Sequence, residues 1–208
     1  MNRNLPLSVV ALAAAVALSA CGSTSSGSNS PGMTNMPGMD HPSSMMTGPS
    51  AATTASSASH NAVDTMFAQM MVPHHAQAIE MSDTILKKQG IDPRVTALAK
   101  KIKAAQSPEI DTMTGWLQAW GEPASMSGDQ SMGGTMSADD MNKLNAATGA
   151  DASKLFLTQM IQHHQGAITM ARDELAQGSD KDALSLAQSI SSSQQAEISE
   201  MNSILGLL

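Results

Sequence analysis

The sequence predicts an all-α protein: a four-helix bundle made from two copies of one helical hairpin, preceded by a signal peptide and a flexible tether. Three observations carry this expectation. A segment is written twice, FAQMMVPHHAQAIEM from Phe67 to Met81 and FLTQMIQHHQGAITM from Phe156 to Met170. A second segment follows each copy: Leu98, Ala99, Ile102, Gln106, Glu109, Ile110, Met113 and Leu117 match Leu186, Ala187, Ile190, Gln194, Glu197, Ile198, Met201 and Leu205. Repetition of this kind marks a duplicated structural unit. Finally, apolar residues recur at helical spacing in both copies, and no stretch alternates at period two for long enough to suggest a sheet.

In chain order, the first expected element is a leader. Arg3 precedes an apolar run from Leu5 to Ala17, and Leu18-Ser19-Ala20-Cys21 closes it. A charged start, a short apolar core and a small-residue cleavage site form a signal peptide, assigned to residues 1–20. The run is too short to remain as a membrane span. Cys21 is the single cysteine of the chain. LSAC resembles a lipobox, so Cys21 is the expected lipidation site and the mature protein is expected to be lipid-anchored on the extracytoplasmic side of the cell membrane. An ordinary secretory signal with an incidental cysteine is the plainer alternative.

Residues 21–59 are rich in Ser, Gly, Pro and Met and nearly free of charge, so they bury too little apolar surface to order themselves and read as a tether. Thioethers do nothing for a solvating linker, yet Met33, Met36, Met39 and His41 stand here at close spacing. This group resembles the methionine and histidine motifs of exported copper-handling proteins and is assigned as an auxiliary metal site.

The bundle is expected over residues 60–208. Its first hairpin spans 60–121, its second 137–208, and a Gly- and Met-rich linker, 122–136, joins them. In the first helix Val63, Phe67, Met71, His74, Ala78, Met81 and Ile85 line one face. Gly90 stops it, Asp92 caps the next helix and Pro93 opens it; Gly121 and Pro123 end that one. Ser137 opens the second hairpin, Gly149 interrupts its first helix, Asp151 restarts it, and Gly178-Ser179-Asp180 forms the turn to the last helix. Pro73 and Pro108 fall inside predicted helices and test the plan, because each removes a backbone donor. Kinks are expected there, with a break before His74 as the alternative.

On a helix advancing about 100° per residue, Met71, His74, His75 and Met81 share a face, and so do Met160, His163, His164 and Met170. These eight residues are the candidate metal ligands. Imidazole with thioether and no thiolate suits copper: sulfur of this kind favours Cu(I), and imidazole accepts either oxidation state. Zinc sites rely more on cysteine or carboxylate, and the Glu-x-x-His pattern of di-iron bundles is absent. Glu109 and Glu197 stand on the partner helices as outer supports for the imidazoles. The alternative is a methionine stripe that only fills the core, around histidines satisfied by Gln or Glu.

The chain is acidic, with a formal net charge of −7, and has no Tyr and only two Phe. Such a surface repels nucleic acid and offers no stacking platform for bases. No nucleophile with a partnered base, no phosphate loop and no carboxylate pair at catalytic spacing stands out, so an enzyme is not expected.

The double Met-x-x-His-His motif, each copy followed by a helix carrying Gln, Glu-Ile and Met, resembles the bacterial exported proteins grouped as domain of unknown function 305. That resemblance covers residue 60 to the C-terminus. It implies a ferritin-like bundle and, from some members, copper binding through Met71, His74, His75, Met81, Met160, His163, His164 and Met170. The expected function is therefore an extracytoplasmic lipoprotein that buffers, sequesters or delivers copper, with copper-handling envelope proteins as possible partners. Two other readings stay open, a protein-protein interaction module with structural histidines and a metal-dependent redox enzyme.

Overall fold

A computed structural model describes residues 60–126 and 133–208. The signal peptide, the tether, Cys21, Met33, Met36, Met39 and His41 lie outside the described residues, as do residues 127–132 of the linker. Among the described residues there are five helices and no strand.

Helix α1, Ala62–Leu86, starts on a capping box: the Asn61 side chain accepts from the backbone of Val63 and Asp64, and Asp64 accepts in return from Asn61 N–H. This satisfies amides that the first turn leaves unbonded. Helix α2, Pro93–Trp120, opens as expected with Asp92 as cap and Pro93 at its first position, and stops at Gly121, whose φ of 75° favours glycine. Helix α5, Lys181–Leu205, is capped by Asp180.

The four-helix plan needs one correction. The segment opened by Ser137 is a separate short helix, α3, Ala138–Ala146, and α4 begins at Gly149 and runs to Gln177. Gly149 was read as an interruption inside one helix. With a φ of 55° it instead begins α4, and the chain turns between the two helices at Ala147 and Thr148. Both prolines are accommodated: α1 continues through Pro73 and α2 through Pro108, without a break before His74.

Helix α1 packs on α2 and α4 packs on α5. The halves meet chiefly through α1 and α4, while α3 bridges these two from outside and α2 touches α5 more lightly. The core divides into two clusters. One takes Met81 and Ile85 from α1, Phe156 and Met160 from α4 and Met201 from α5, with Met136 and Leu144 from the connection and α3. The other takes Phe67 and Met71 from α1, Met113 and Leu117 from α2, and Ala167 and Ala171 from α4. The start of α1 thus lies beside the end of α4, so the central pair is antiparallel, and the level between the clusters holds the histidines.

Candidate metal centre

Since α1 and α4 are antiparallel and in contact, residues at the middle of each meet. The rings of His74 and His163 lie with centroids 3.7 Å apart and planes inclined by 39°, and His163 and His164 are 6.4 Å apart. His74, His75, His163 and His164 are all fully buried. Neither member of either pair reaches the rim. Both are enclosed, because α2 and α5 cover the outer one. His75 Nε2 lies 2.8 Å from Glu109 Oε2, and His164 Nε2 lies 2.8 Å from Glu197 Oε2. An ionised carboxylate only accepts, so Nε2–H donates, which in a neutral imidazole leaves Nδ1 as a bare lone pair.

The inner pair has no such support. Neither ring nitrogen of His74 or of His163 makes a hydrogen bond of normal geometry, and the Nδ1 atoms of His75 and His164 are equally bare. Gln106 and Gln194, one turn before Glu109 and Glu197, also carry buried amide atoms without partners. Each unsatisfied buried polar group costs about 1–3 kcal/mol, and native cores hold few of them. Such a concentration on one level marks a place for something that takes up lone pairs.

Electrostatics keeps those lone pairs free. Burial pushes His74 down to about 3, helped by the nearby His75 and His164 and only partly opposed by the Gly133 backbone. Burial also holds His163 well below the usual histidine range, with His74, His164 and His75 adding to the effect. His164 is lowered by burial too, against the pull of Glu197. At neutral pH the imidazoles of His74, His163 and His164 are uncharged, each with a lone pair that no proton blocks. Among the described residues, no three His, Cys, Asp or Glu side chains form a ready cage. The level offers imidazole nitrogens, with the Glu109 and Glu197 carboxylates behind the outer pair.

The methionines are placed unequally. Met71, Met81 and Met160 are fully buried, the first in one cluster and the other two in the other. Met170, expected to face inward like them, is half-buried and reaches the surface. Met136, read as part of a flexible linker patch, is buried in the core. His60 stacks on Trp120 at 4.4 Å, away from the centre.

Sequence reasoning missed the cover of this level. Gln77 donates to the Met136 carbonyl at 2.9 Å and accepts from its N–H at 2.7 Å. On α4 the matching position is Gly166, where the Gly133–Gly134 backbone presses so close that a Cβ would come within 2.0 Å of the Gly133 oxygen. The signal was in the repeat itself, a Gln in one copy against a Gly in the other.

A second polar cluster also went unnoticed. Asp64, fully buried, accepts from the backbone of Ser179 at 2.9 Å and of Asp180 at 2.9 Å, tying the start of α1 to the α4–α5 turn. Burial alone would push its pKa up, but hydrogen bonds from Asn61, Glu174, Asp180 and Ser179 bring it down to about 2. Its neighbour Glu174, fully buried, is pushed up to about 8 by burial and by Asp64.

Among known proteins, the family model for Domain of unknown function (DUF305) matches residues 64–205. A DUF305 protein of Streptomyces coelicolor, named as secreted, is 31% identical with a TM-score of 0.66; the match covers 69% of this chain and 92% of that one. A DUF305 fragment from Deinococcus radiodurans is 30% identical with a TM-score of 0.66, over 71% of this chain and 98% of its own. CopM in its Cu(II)-bound form is 33% identical with a TM-score of 0.60, over 69% of this chain and 95% of that one, and CopM has also been obtained in Cu(I)-bound and Ag-bound forms. No curated protein sequence matches. No helix among the described residues is long and apolar enough to cross a membrane.

Proposed function

The chain belongs to the DUF305 family, and from that premise we propose that it binds copper outside the cytoplasm, buffering, sequestering or delivering it through the histidines between its two apolar clusters. The observation that carries this reading is the His74–His163 pair: two uncharged imidazoles 3.7 Å apart, fully buried, with all four ring nitrogens unsatisfied. A soft ion that accepts nitrogen and thioether sulfur relieves that arrangement, and Cu(I) is such an ion, with Cu(II) served by imidazole alone. The copper-bound forms of CopM support the choice of metal.

In this reading His75 and His164, oriented by Glu109 and Glu197, complete the nitrogen set. Met71, Met81, Met160 and Met170 supply sulfur from the layers on either side. The two hairpins are a duplication on a ferritin-like plan, each contributing half of a shared centre. Cys21 carries the lipid that holds the protein at the membrane, and Met33, Met36, Met39 and His41 collect copper more weakly, since flexible ligands lose ordering entropy on binding.

Anaerobic titration of the protein with Cu(I), Cu(II) and Zn(II) tests the centre. Replacing His74 and His75 by Ala should weaken copper binding at least about tenfold, or about 1.4 kcal/mol. Replacing His163 and His164 should do the same, and the quadruple change should lose much less than the sum, because ligands of one centre fail together. A folded quadruple variant with unchanged copper affinity would remove the reading and favour an interaction module. For the anchor, Cys21→Ser should move the protein from the membrane to the soluble fraction or leave it unprocessed; unchanged partition and processing would count against lipidation.

A further inference from the structure

At the end of the bundle where α1 starts, a groove of about 350 Å³ opens between α1 and α4. Met66, Met70 and Met170 line it, together with Phe67, Asp173 and Glu174. Met66 is 42% exposed, an unusual position for a thioether on a protein with a well-filled core. Three thioethers in one groove would be unremarkable if the rest of its lining were apolar. It is not: Glu174 is fully buried, and neither of its oxygens receives a hydrogen bond. It is held in place by the turn above it, where a Cβ on Gly178 would come within 2.3 Å of its Oε1. A buried carboxyl with no donor partner, beside the carboxylate of Asp64, favours a positive charge nearby.

Beside the groove lies a second hollow of about 500 Å³ that shares Met70, Met170 and Asp173 with it and is lined at its far side by Gly133, Gly134 and Gly166. The Gly133 backbone reaches the imidazole of His74. A line of sulfur donors thus leads from the surface to the glycine segment that covers the central histidines.

We propose that Met66, Met70, Met170 and Glu174 form an accessory site for a soft monovalent cation, Cu(I), which receives the ion at the surface and hands it beneath the Gly133–Gly134 segment to His74 and His163. The hand-off rests on the copper reading above; occupancy of the groove does not. Thioethers select Cu(I) over hard ions, and the Asp64–Glu174 pair, which keeps one negative charge while Glu174 is protonated, matches its single charge. Ligand exchange along the path involves no change of oxidation state.

The test uses the whole chain with ¹³C-methyl-labelled methionines, titrated anaerobically with Cu(I) and followed by NMR. The methyls of Met66, Met70 and Met170 should shift, and should still shift in a His74→Ala, His163→Ala variant that has lost the centre. A Met66→Leu, Met70→Leu variant keeps volume and apolarity and leaves Met170 in place, so it should fold. It should bind Cu(I) at the centre within about threefold of the parent affinity, yet load it about tenfold more slowly in stopped flow. If these three methyls stay still while the centre fills, the accessory site is wrong and the central site stands. If the methyls shift but the Met66→Leu, Met70→Leu variant loads at the parent rate, the hand-off is wrong. If no Cu(I) binds anywhere, both readings fall.

Discussion

His74 shows what burial does to a single residue. An exposed histidine titrates near 6.5 and loses its metal as it protonates, whereas His74 is held near 3 and His163 is lowered well below the usual range, both chiefly by burial. Copper binding should therefore stay nearly constant from pH 7.5 down to about 5, with affinity changing less than about threefold. Competition titration at each pH measures it. A tenfold loss centred near pH 6.5 would mean that exposed histidines hold the metal. The central residues were legible in the sequence because the double histidine recurs in register, and a helix maps equal spacing onto equal faces. The supports of the outer pair, Glu109 and Glu197, were legible in the second repeated segment; the full burial of His75 and His164 was not, because it depends on how closely α2 and α5 pack over them. Met170 departs from Met81, its match, because a repeat in sequence does not ensure equal cover: among the described residues the groove between α1 and α4 stays open at Met170, whereas residues of α2 and α3 join the cluster around Met81.

At the scale of elements, periodicity and stop signals placed α1, α2 and α5 to within a few residues, with α1 ending at Leu86 before the stop expected at Gly90. Asn61, Asp92 and Asp180 each bond the first turn of their helix. The split between α3 and α4 was half visible as Gly149, and the docking of the linker was not visible at all. Glycine, serine and methionine read as loop, and what orders residues 133–136 is contact with Gln77 and Gly166, both remote in sequence. That contact makes a sharp prediction. Gly166→Ala puts a methyl within 2.0 Å of the Gly133 oxygen, backbone that must move rather than a side chain that can swing away. In an exposed helix the change would add helix propensity. Here it should destabilise by about 1–3 kcal/mol, as overpacking does, and should speed hydrogen exchange at Met136 as its clamp to Gln77 loosens. A stabilised variant with unchanged protection would show that the glycine segment does not rest on α4.

For the molecule as a whole, one pair of acids joins what the histidines divide. Asp64 holds the α4–α5 turn against the start of α1, and Glu174 sits beside it. Their shifts oppose one another, so their contributions to stability have opposite pH dependence. Asp64 falls from 3.8 to about 2, so its contribution is present above about pH 3.8 and is lost as pH falls through 2. Glu174 rises from 4.5 to about 8, so its contribution is complete below 4.5 and is lost as pH rises through 8. In that upper window the unfolded chain has already released the proton that the folded chain keeps. Metal-free protein should therefore be most stable near pH 4 to 5 as far as this pair decides it, and its melting temperature should decline from pH 5 to pH 9. Glu174→Gln replaces the protonated acid with a neutral group of the same shape that still donates toward Asp64. The variant should melt at nearly the same temperature across that range and gain on the order of 2 kcal/mol over the parent at pH 9. Copper ought to counter the decline in the parent, because a cation beside Glu174 compensates the ionised carboxylate. Parallel melting curves for parent and variant, without copper, would show that Glu174 is ionised throughout and that Asp64, without Glu174, carries the acid contact between α1 and the α4–α5 turn.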